Sequence, residues 1–276
     1  MKKSHSKTHL LFYVLITMLL ALIVWTIWGN TALMVNSITV SGNQIPSEFS
    51  GFRIAQISDL HNAEFGEGNS HLLNSLSESK PDMIAITGDL VDAQHTNIDV
   101  ALSFAEKAVQ IAPVYYVTGN HEASLSQYSE LKTGLEAAGV IVLEDKAIQL
   151  EHNGGIVTLM GLSDPNFTIK SNIFDEVPAM ISTKLNDLME NKVGYTILLS
   201  HRPELFDTYV SCGVDLVLSG HAHGGQFRLP LIGGLVAPNQ GFFPKYDAGL
   251  YTDGGTNMVV SRGLGNSIIP LRFNNR

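Results

Sequence analysis

Cysteine is nearly absent: Cys212 is the only one in 276 residues. A lone thiol excludes an internal disulfide and any metal site built on several thiolates. Inside VSCGVDLVL it reads as a small core residue. Charge is scarce as well, at 16% of the chain against about 25% in an average soluble domain. What charge there is leans acidic, with 26 Asp and Glu against 17 Lys and Arg. Beyond residue 29 there are 26 acidic and 14 basic residues, a formal −12. Such a surface repels nucleic-acid phosphates, which need Lys and Arg patches, and attracts cations. Repeats, low-complexity runs and long linkers are also missing. The length then fits one large domain and an appendage.

The low charge has a local source. Leu10 to Trp28 reads LLFYVLITMLLALIVWTIW, without a charged residue. A helix crossing a bilayer core needs about 20 apolar residues. Trp25 and Trp28 stand at its far end, where an aromatic belt would lie. Lys2, Lys3 and Lys7 precede it with no acid among them. The positive-inside rule keeps residues 1–9 in the cytoplasm and sends the rest across, as a single-pass protein of the plasma or inner membrane. A cleaved signal peptide is the competing reading. Its apolar region usually spans about 7–15 residues before a small-x-small site. This run is longer, and Thr31 to Leu33 makes a poor site, so residues 10–28 are expected to stay as an anchor.

Ile38 to Ser50 is a short polar connection with Gly42 and Pro46, and one domain is expected over residues 38–276. Seven short apolar runs follow: 52–58, 82–87, 113–118, 155–161, 195–200, 214–219 and 257–261. They are rich in β-branched or aromatic residues and too short for helices, so they read as buried strands. Amphipathic stretches lie between them, at 70–79, 98–111, 126–138, 177–190 and 203–211. Strands alternating with helices make an α/β domain. Phe227 to Gly249, rich in Gly and Pro, reads as one long loop beside the site.

Five of the strands end in polar groups. Asp59-Leu-His61 follows the first, Gly88-Asp89 the second and Gly119-Asn120-His121-Glu122 the third; His201 and Gly220-His221-Ala-His223 follow two later ones. In open α/β sheets, ligands bind outside the carboxyl ends of strands. These groups would therefore gather into one site. Oxygen and imidazole donors without thiolate suit divalent first-row metals: Mn, Fe, Co, Ni or Zn. The set exceeds the needs of one four-coordinate ion, and two ions about 3.5–4 Å apart sharing a carboxylate would use it all.

In this order the motifs resemble those of the calcineurin-like metallophosphoesterase superfamily. The Gly-His-x-His-Gly-Gly-Gln form and the later SRGLG, Ser261 to Gly265, resemble its membrane-anchored bacterial phosphodiesterase branch. The resemblance implies a four-layer α-β-β-α sandwich behind one N-terminal transmembrane helix. It assigns Asp59, His61 and His223 to a first metal and Asn120, His201 and His221 to a second, with Asp89 bridging. His121 becomes a non-ligand that protonates the leaving group. Two cations would neutralise phosphate oxygens and acidify a bridging water, whose hydroxide attacks phosphorus in line. Histidine titrates near neutral pH and suits the proton transfer.

Asp92 reads as a turn former or a support to the site rather than a ligand, Glu122 as a further candidate support, and Arg202 as either a substrate-phosphate contact or a surface residue. The expected reaction is hydrolysis of a phosphodiester, on a small-molecule or lipid-linked substrate. Alternatives are pyrophosphate hydrolysis of a lipid-linked nucleotide such as UDP-2,3-diacylglucosamine, and a non-catalytic metal-binding membrane scaffold. Retention of His121, which a scaffold does not need, argues against the last.

Overall fold

A computed structural model describes residues 4–169, 176–266 and 271–275. Met1, Lys2 and Lys3 of the expected cytoplasmic segment lie outside the described residues. The first element is helix α1, Ser4–Thr31. Its stretch His9–Thr31 is 23 residues long, about 34 Å at 1.5 Å per residue. That is long and apolar enough to cross a membrane, and Leu10, Phe12, Leu15, Leu19, Ile23 and Trp28 are all exposed on it.

Among the described residues, the rest of the chain builds two main sheets and two small two-stranded ones. The first is parallel, in the order β1 (Ile54–Ile57), β2 (Met83–Thr87), β3 (Val114–Val117) and β4 (Ile141–Val142). The second has six strands. β5 (Lys146–His152) pairs antiparallel with β6 (Gly155–Gly161), which runs parallel to β7 (Thr196–Leu199) and β8 (Leu216–Ser219). Beyond β8 come β14 (Thr256–Val260), parallel to it, and β13 (Gly249–Asp253), antiparallel at the edge. The helices are α2 (Ser70–Ser79), α3 (Ile98–Ala108), α4 (Asn120–Ser124), α5 (Tyr128–Ala137), α6 (Val177–Met189) and α7 (Phe206–Ser211).

Strand periodicity sets the layers. Alternate side chains point to opposite faces. Met83 and Ala85 pack with Leu159, Ile197, Leu199, Leu216 and Leu218 between the two sheets. Ile84 and Ile86 face the other way, onto Leu72 and Leu76 of α2, Phe104 of α3, and Leu131 and Leu135 of α5. On the far side, Leu198 and Val217 meet Ile181 and Leu185 of α6 with Phe206 and Tyr209 of α7. The result is the α-β-β-α sandwich, and it explains the continuous apolar runs: every residue of β2, β3, β7 and β8 is buried. The sheets also meet through a polar contact, Gln56 Nε2 donating to the Ser219 carbonyl at 2.9 Å.

The segment expected as one long loop contains two small hairpins. β9 (Arg228–Leu229) pairs with β10 (Gly233–Gly234), and β11 (Val236–Ala237) with β12 (Gly241–Phe242). Two-residue strands are too short to show a period of two, so only their Gly and Pro turn residues stand out in the sequence.

The C-terminal tail returns to α1. Asn30 Oδ1 accepts the Arg272 N–H at 2.9 Å, and Asn30 Nδ2 donates to the Arg272 carbonyl at 3.0 Å. Phe273 then pairs with Phe227.

Candidate metal centre

The strand-end loops converge where the two sheets meet. Asp59 and His61 follow β1, Asp89 follows β2, Asn120 opens α4 after β3, His201 follows β7, and His221 and His223 follow β8. The loops turn sharply. Asp59, His61, Asp89, His221 and His223 all have left-handed φ, between 47° and 65°. A non-glycine residue there costs of order 1–3 kcal/mol, and such strain collects at functional sites. Two glycines allow close approach: a Cβ on Gly119 would strike Asp89 Oδ1, and one on Gly220 would strike Ser58 Oγ.

The side chains form three overlapping groups: Asp59, His61, Asp89 and His223; Asp89, His201 and His221; and, at the edge, His61 with Asp92 and His121. In the first, His61 Nε2 faces His223 Nε2 at 3.3 Å, and His223 Nε2 lies 3.4 Å from Asp59 Oδ1. In the second, His201 Nε2 lies 3.2 Å from Asn120 Oδ1 and 3.1 Å from His221 Nδ1. Asp89 Oδ2 belongs to both of these, 3.6 Å from His61 Nε2 and 3.2 Å from His201 Nε2.

Divalent cations fit this donor set. Burial pushes His61 down to about 4 and His223 to about 3, so both rings are neutral at pH 7. At most one of the two facing nitrogens can then carry a hydrogen toward the other, and lone pairs are left over. His61 Nδ1 and His223 Nδ1 are buried without a hydrogen-bond partner. His201 Nδ1 sits 2.8 Å from the Thr87 carbonyl. That contact requires a hydrogen on Nδ1, so the proton that metal displaces is the one on Nε2, whose lone pair then points inward as in metal-ligating histidines.

Charge coupling is strong here. Burial opposes a proton on His201, but the adjacent Asp89 carboxylate outweighs it and raises His201 to about 10. For Asp89, burial raises the pKa, yet His201 and His61 win and hold it well below the usual carboxylate range. Burial raises Asp59. Burial and the Arg202 charge hold His221 well below its usual value.

Supporting residues fix these groups. The His221 backbone N–H donates to Asp59 Oδ1 at 3.1 Å. His121 donates its backbone N–H to Asp89 Oδ1 at 2.9 Å, and its ring stacks edge-on against His61 at 4.4 Å. Its Nδ1 accepts the Ala93 N–H at 3.0 Å, so the neutral ring carries its hydrogen on Nε2. Asp92 Oδ1 takes the N–H groups of Gln94 and His95, a turn-forming contact.

Glu122 holds the Asp89 loop. Its buried carboxylate accepts from Gly119, Asp89, Leu90 and Val91 at 2.7, 2.8, 2.8 and 3.2 Å. Burial and Asp89 push its carboxyl up to about 7 against the pull of those N–H groups. Arg202 is buried, with its guanidinium fork on Asp164 (Nε–Oδ2 2.5 Å, Nη2–Oδ1 2.9 Å). Nη1 lies 3.1 Å from His221 Nε2 and 3.5 Å from Glu204. For the phosphate contact read from the sequence, Nη1 is the arm the Asp164 fork leaves.

Asp164, Asn239, Arg272 and Asn275 are absent from the sequence reading. Asn239 Nδ2 lies 3.2 Å from His221 Nε2. The Arg272 guanidinium donates to the carbonyls of Arg262, Gly263 and Leu264. Asn275 Nδ2 donates to the His223 carbonyl at 2.6 Å. These contacts also give Gly224-Gly225-Gln226 a role. Gly224 makes room for the Asn275 amide, Gly225 packs against the Gly234 backbone, and Gln226 Nε2 reaches the Leu271 carbonyl at 2.8 Å. Only Glu122 left a local signal, a carboxylate three residues into a helix after a glycine, half of a capping box.

Comparison with known proteins agrees with this chemistry. The model for the calcineurin-like phosphoesterase family matches residues 52–225. The chain is 30% identical over 240 residues to the uncharacterized metallophosphoesterase YkuE of Bacillus subtilis, covering 85% of this chain and 79% of the relative. It is 28% identical over 235 residues to the phosphodiesterase YaeI of Escherichia coli K12, covering 82% and 79%. Among solved structures, TT1561 of Thermus thermophilus superposes with a TM-score of 0.54 at 16% identity, covering 77% of this chain and 90% of that one. That last likeness is one of fold.

Proposed function

The chain belongs to the calcineurin-like phosphoesterase family and is a metal-dependent phosphoester hydrolase, and from that premise we propose that it hydrolyses a phosphodiester at a dinuclear centre. Asp59, His61 and His223 hold one ion; Asn120, His201 and His221 hold the other; Asp89 serves both. The observation that carries this reading is the position of Asp89 Oδ2, within 3.6 Å of His61 and 3.2 Å of His201. Bound divalent cations supply charge neutralisation for the phosphate oxygens and acidify a water for in-line attack. Asn120 contributes an oxygen without adding negative charge. His121, with its hydrogen on Nε2, would hydrogen-bond the departing oxygen as negative charge develops on it. Arg202 orients His221 and offers Nη1 to a phosphate oxygen.

The name of the Escherichia coli relative supports a diester over a monoester. Catalysis is favoured over a scaffold if His121, which lies beside His61 and Asp92, acts on the leaving group rather than as a ligand. We further propose that residues 10–28 anchor the chain, that residues 38–276 form the catalytic domain, and that this domain lies outside the cytoplasm. The test is hydrolysis of bis-p-nitrophenyl phosphate by the full chain in detergent with Mn²⁺. A folded, metal-loaded protein inert toward diesters, monoesters and pyrophosphates would rule the reading out.

A further inference from the structure

Large apolar side chains more than 60% exposed are few outside α1. Among the described residues beyond Thr31 they are Val35, Leu231, Ile232, Phe242 and Phe243. Val35 lies four residues past the end of α1. Leu231, at 108% exposure, and Ile232, at 62%, form the tip of the β9–β10 hairpin. Phe242, at 75%, ends β12, and Phe243, at 63%, follows it. Four such residues on two neighbouring hairpins are not scattered surface hydrophobics.

The hairpins connect two things. On one side they reach the metal centre: the Leu235 N–H donates to the Gly225 carbonyl at 3.0 Å, the Phe243 N–H to the Leu235 carbonyl at 2.8 Å, and Asn239, in the β11–β12 turn, touches His221. On the other side they reach α1. The Arg228 N–H donates to the Phe273 carbonyl at 3.0 Å, and Phe273 lines one groove with Met18, Leu19, Ala21, Leu22 and Trp25 of the helix. A chain of contacts, apolar between α1 and Phe273 and hydrogen-bonded beyond it, therefore links the anchor to the rim of the site.

We propose that the β9–β10 and β11–β12 hairpins dock on the bilayer that holds α1, with Leu231, Ile232, Phe242 and Phe243 entering the headgroup–acyl boundary. This rests on reading α1 as a membrane span and the centre as a phosphoesterase site. The domain is acidic, so attraction to anionic headgroups is not its source of affinity; burial of apolar area is. Docking holds the centre at the bilayer surface, and its substrates are phosphoesters presented there on amphipathic molecules.

The test uses the full chain reconstituted in vesicles of phosphatidylethanolamine and phosphatidylglycerol. Single cysteines replace Leu231, Phe242, Ile141 or Leu15 in a Cys212→Ser background, each labelled with a polarity-sensitive fluorophore. Labels at 231 and 242 are expected to be quenched by spin-labelled lipid and shielded at least fivefold from iodide, relative to the label at 141. If they are as open to iodide as 141 while the label at 15 is lipid-quenched, docking is overturned and the anchor stands. Shielding from both quenchers means a protein partner covers the hairpins, and also overturns docking. A label at 15 that lipid does not quench removes the anchor, and docking with it. Hydrolysis of bis-p-nitrophenyl phosphate by the Phe242→Ser/Phe243→Ser variant, expected within twofold of wild type, shows that the centre survives independently of docking.

Discussion

The carboxylate of Glu122 holds the backbone of Asp89, with Oε2 accepting the Asp89 N–H at 2.8 Å. It also takes the N–H groups of Gly119, Leu90 and Val91. One side chain thus fixes the loop that carries the shared carboxylate. Glu122→Gln keeps the size but turns an NH₂ toward backbone N–H donors. At pH 8, above the value of about 7 to which burial raises this carboxyl, the expected loss is about 3 kcal/mol, since hydrogen bonds to a charged group contribute about 1.5–3 kcal/mol each. In a domain of this size that lowers Tm by roughly 6–12 °C. Affinity for Mn²⁺ should fall about 10–100-fold, the usual effect of losing an outer support. Calorimetry and metal titration check both; an unchanged Tm would show that the four N–H groups find other acceptors.

His201 gives the metal centre a pH dependence. Its pKa is raised to about 10 by Asp89 despite burial, so the metal-free protein carries that proton at pH 7. A raised pKa contributes stability that is complete below the unfolded value of about 6.5 and lost as pH rises toward 10. Metal needs the neutral ring and displaces the proton. Apparent metal affinity should therefore rise about tenfold per pH unit between 7 and 9, while the metal-free protein loses stability over the same window. His61 and His223, already neutral, add no proton there. Titration calorimetry in buffers of different ionisation enthalpy counts the protons; zero release would contradict the assignment.

Asp89 and His121 should separate cleanly in mutants. Asp89→Ala removes the oxygen common to both groups, and is expected to abolish metal binding and turnover together. His121 touches the centre through its ring face and backbone N–H, so His121→Ala should keep the metal and lose about 10²–10⁴-fold in turnover on an alkyl diester. On a nitrophenyl diester, whose leaving group needs little protonation, the loss should be much smaller. Equal losses on both substrates, or a stripped metal, would refute the division of roles.

The anchor is tested by extraction. The full-length chain should stay with membranes after a carbonate wash, because α1 is apolar on every face. A shortened soluble form beginning near Thr31 to Leu33 would mean that the segment is cleaved.

Different parts of the molecule were readable for different physical reasons. Met83 to Thr87 is legible as a strand because both of its faces are covered, one by helices and one by the second sheet. The polar groups that come together are legible because each directly follows such a run. β5 escapes a reading built on continuous apolar runs because only one face is covered: Ile148 and Leu150 pack on the core while Gln149 and Glu151 between them are exposed. The supports of the centre are hidden because they act across sequence: Asp164 meets Arg202 across 38 residues and Asn275 meets His223 across 52. No local pattern encodes such a pair.

The tail should matter to the centre out of proportion to its length. Arg272 is buried, and its guanidinium holds the Arg262, Gly263 and Leu264 carbonyls. That loop in turn holds the first metal group: the Leu264 N–H donates to the Ser58 carbonyl at 3.0 Å and the Gly265 N–H to the Asp59 carbonyl at 2.6 Å. Arg272→Ala removes three hydrogen bonds at once and takes the donor from the buried Gly263 carbonyl. The expected result is about tenfold weaker Mn²⁺ binding and a Tm lower by several degrees. Arg272→Lys should recover little, because an ammonium cannot reproduce the planar fork. Asn30→Ala cuts the two bonds between α1 and the tail backbone, about 1–3 kcal/mol in total, together with a bond inside α1 to the Thr26 carbonyl, and should leave metal binding within twofold. Metal content after dialysis against limiting Mn²⁺ ranks the three variants. Equal occupancy in Arg272→Ala and wild type would mean that the Asp59 loop holds its shape without the tail.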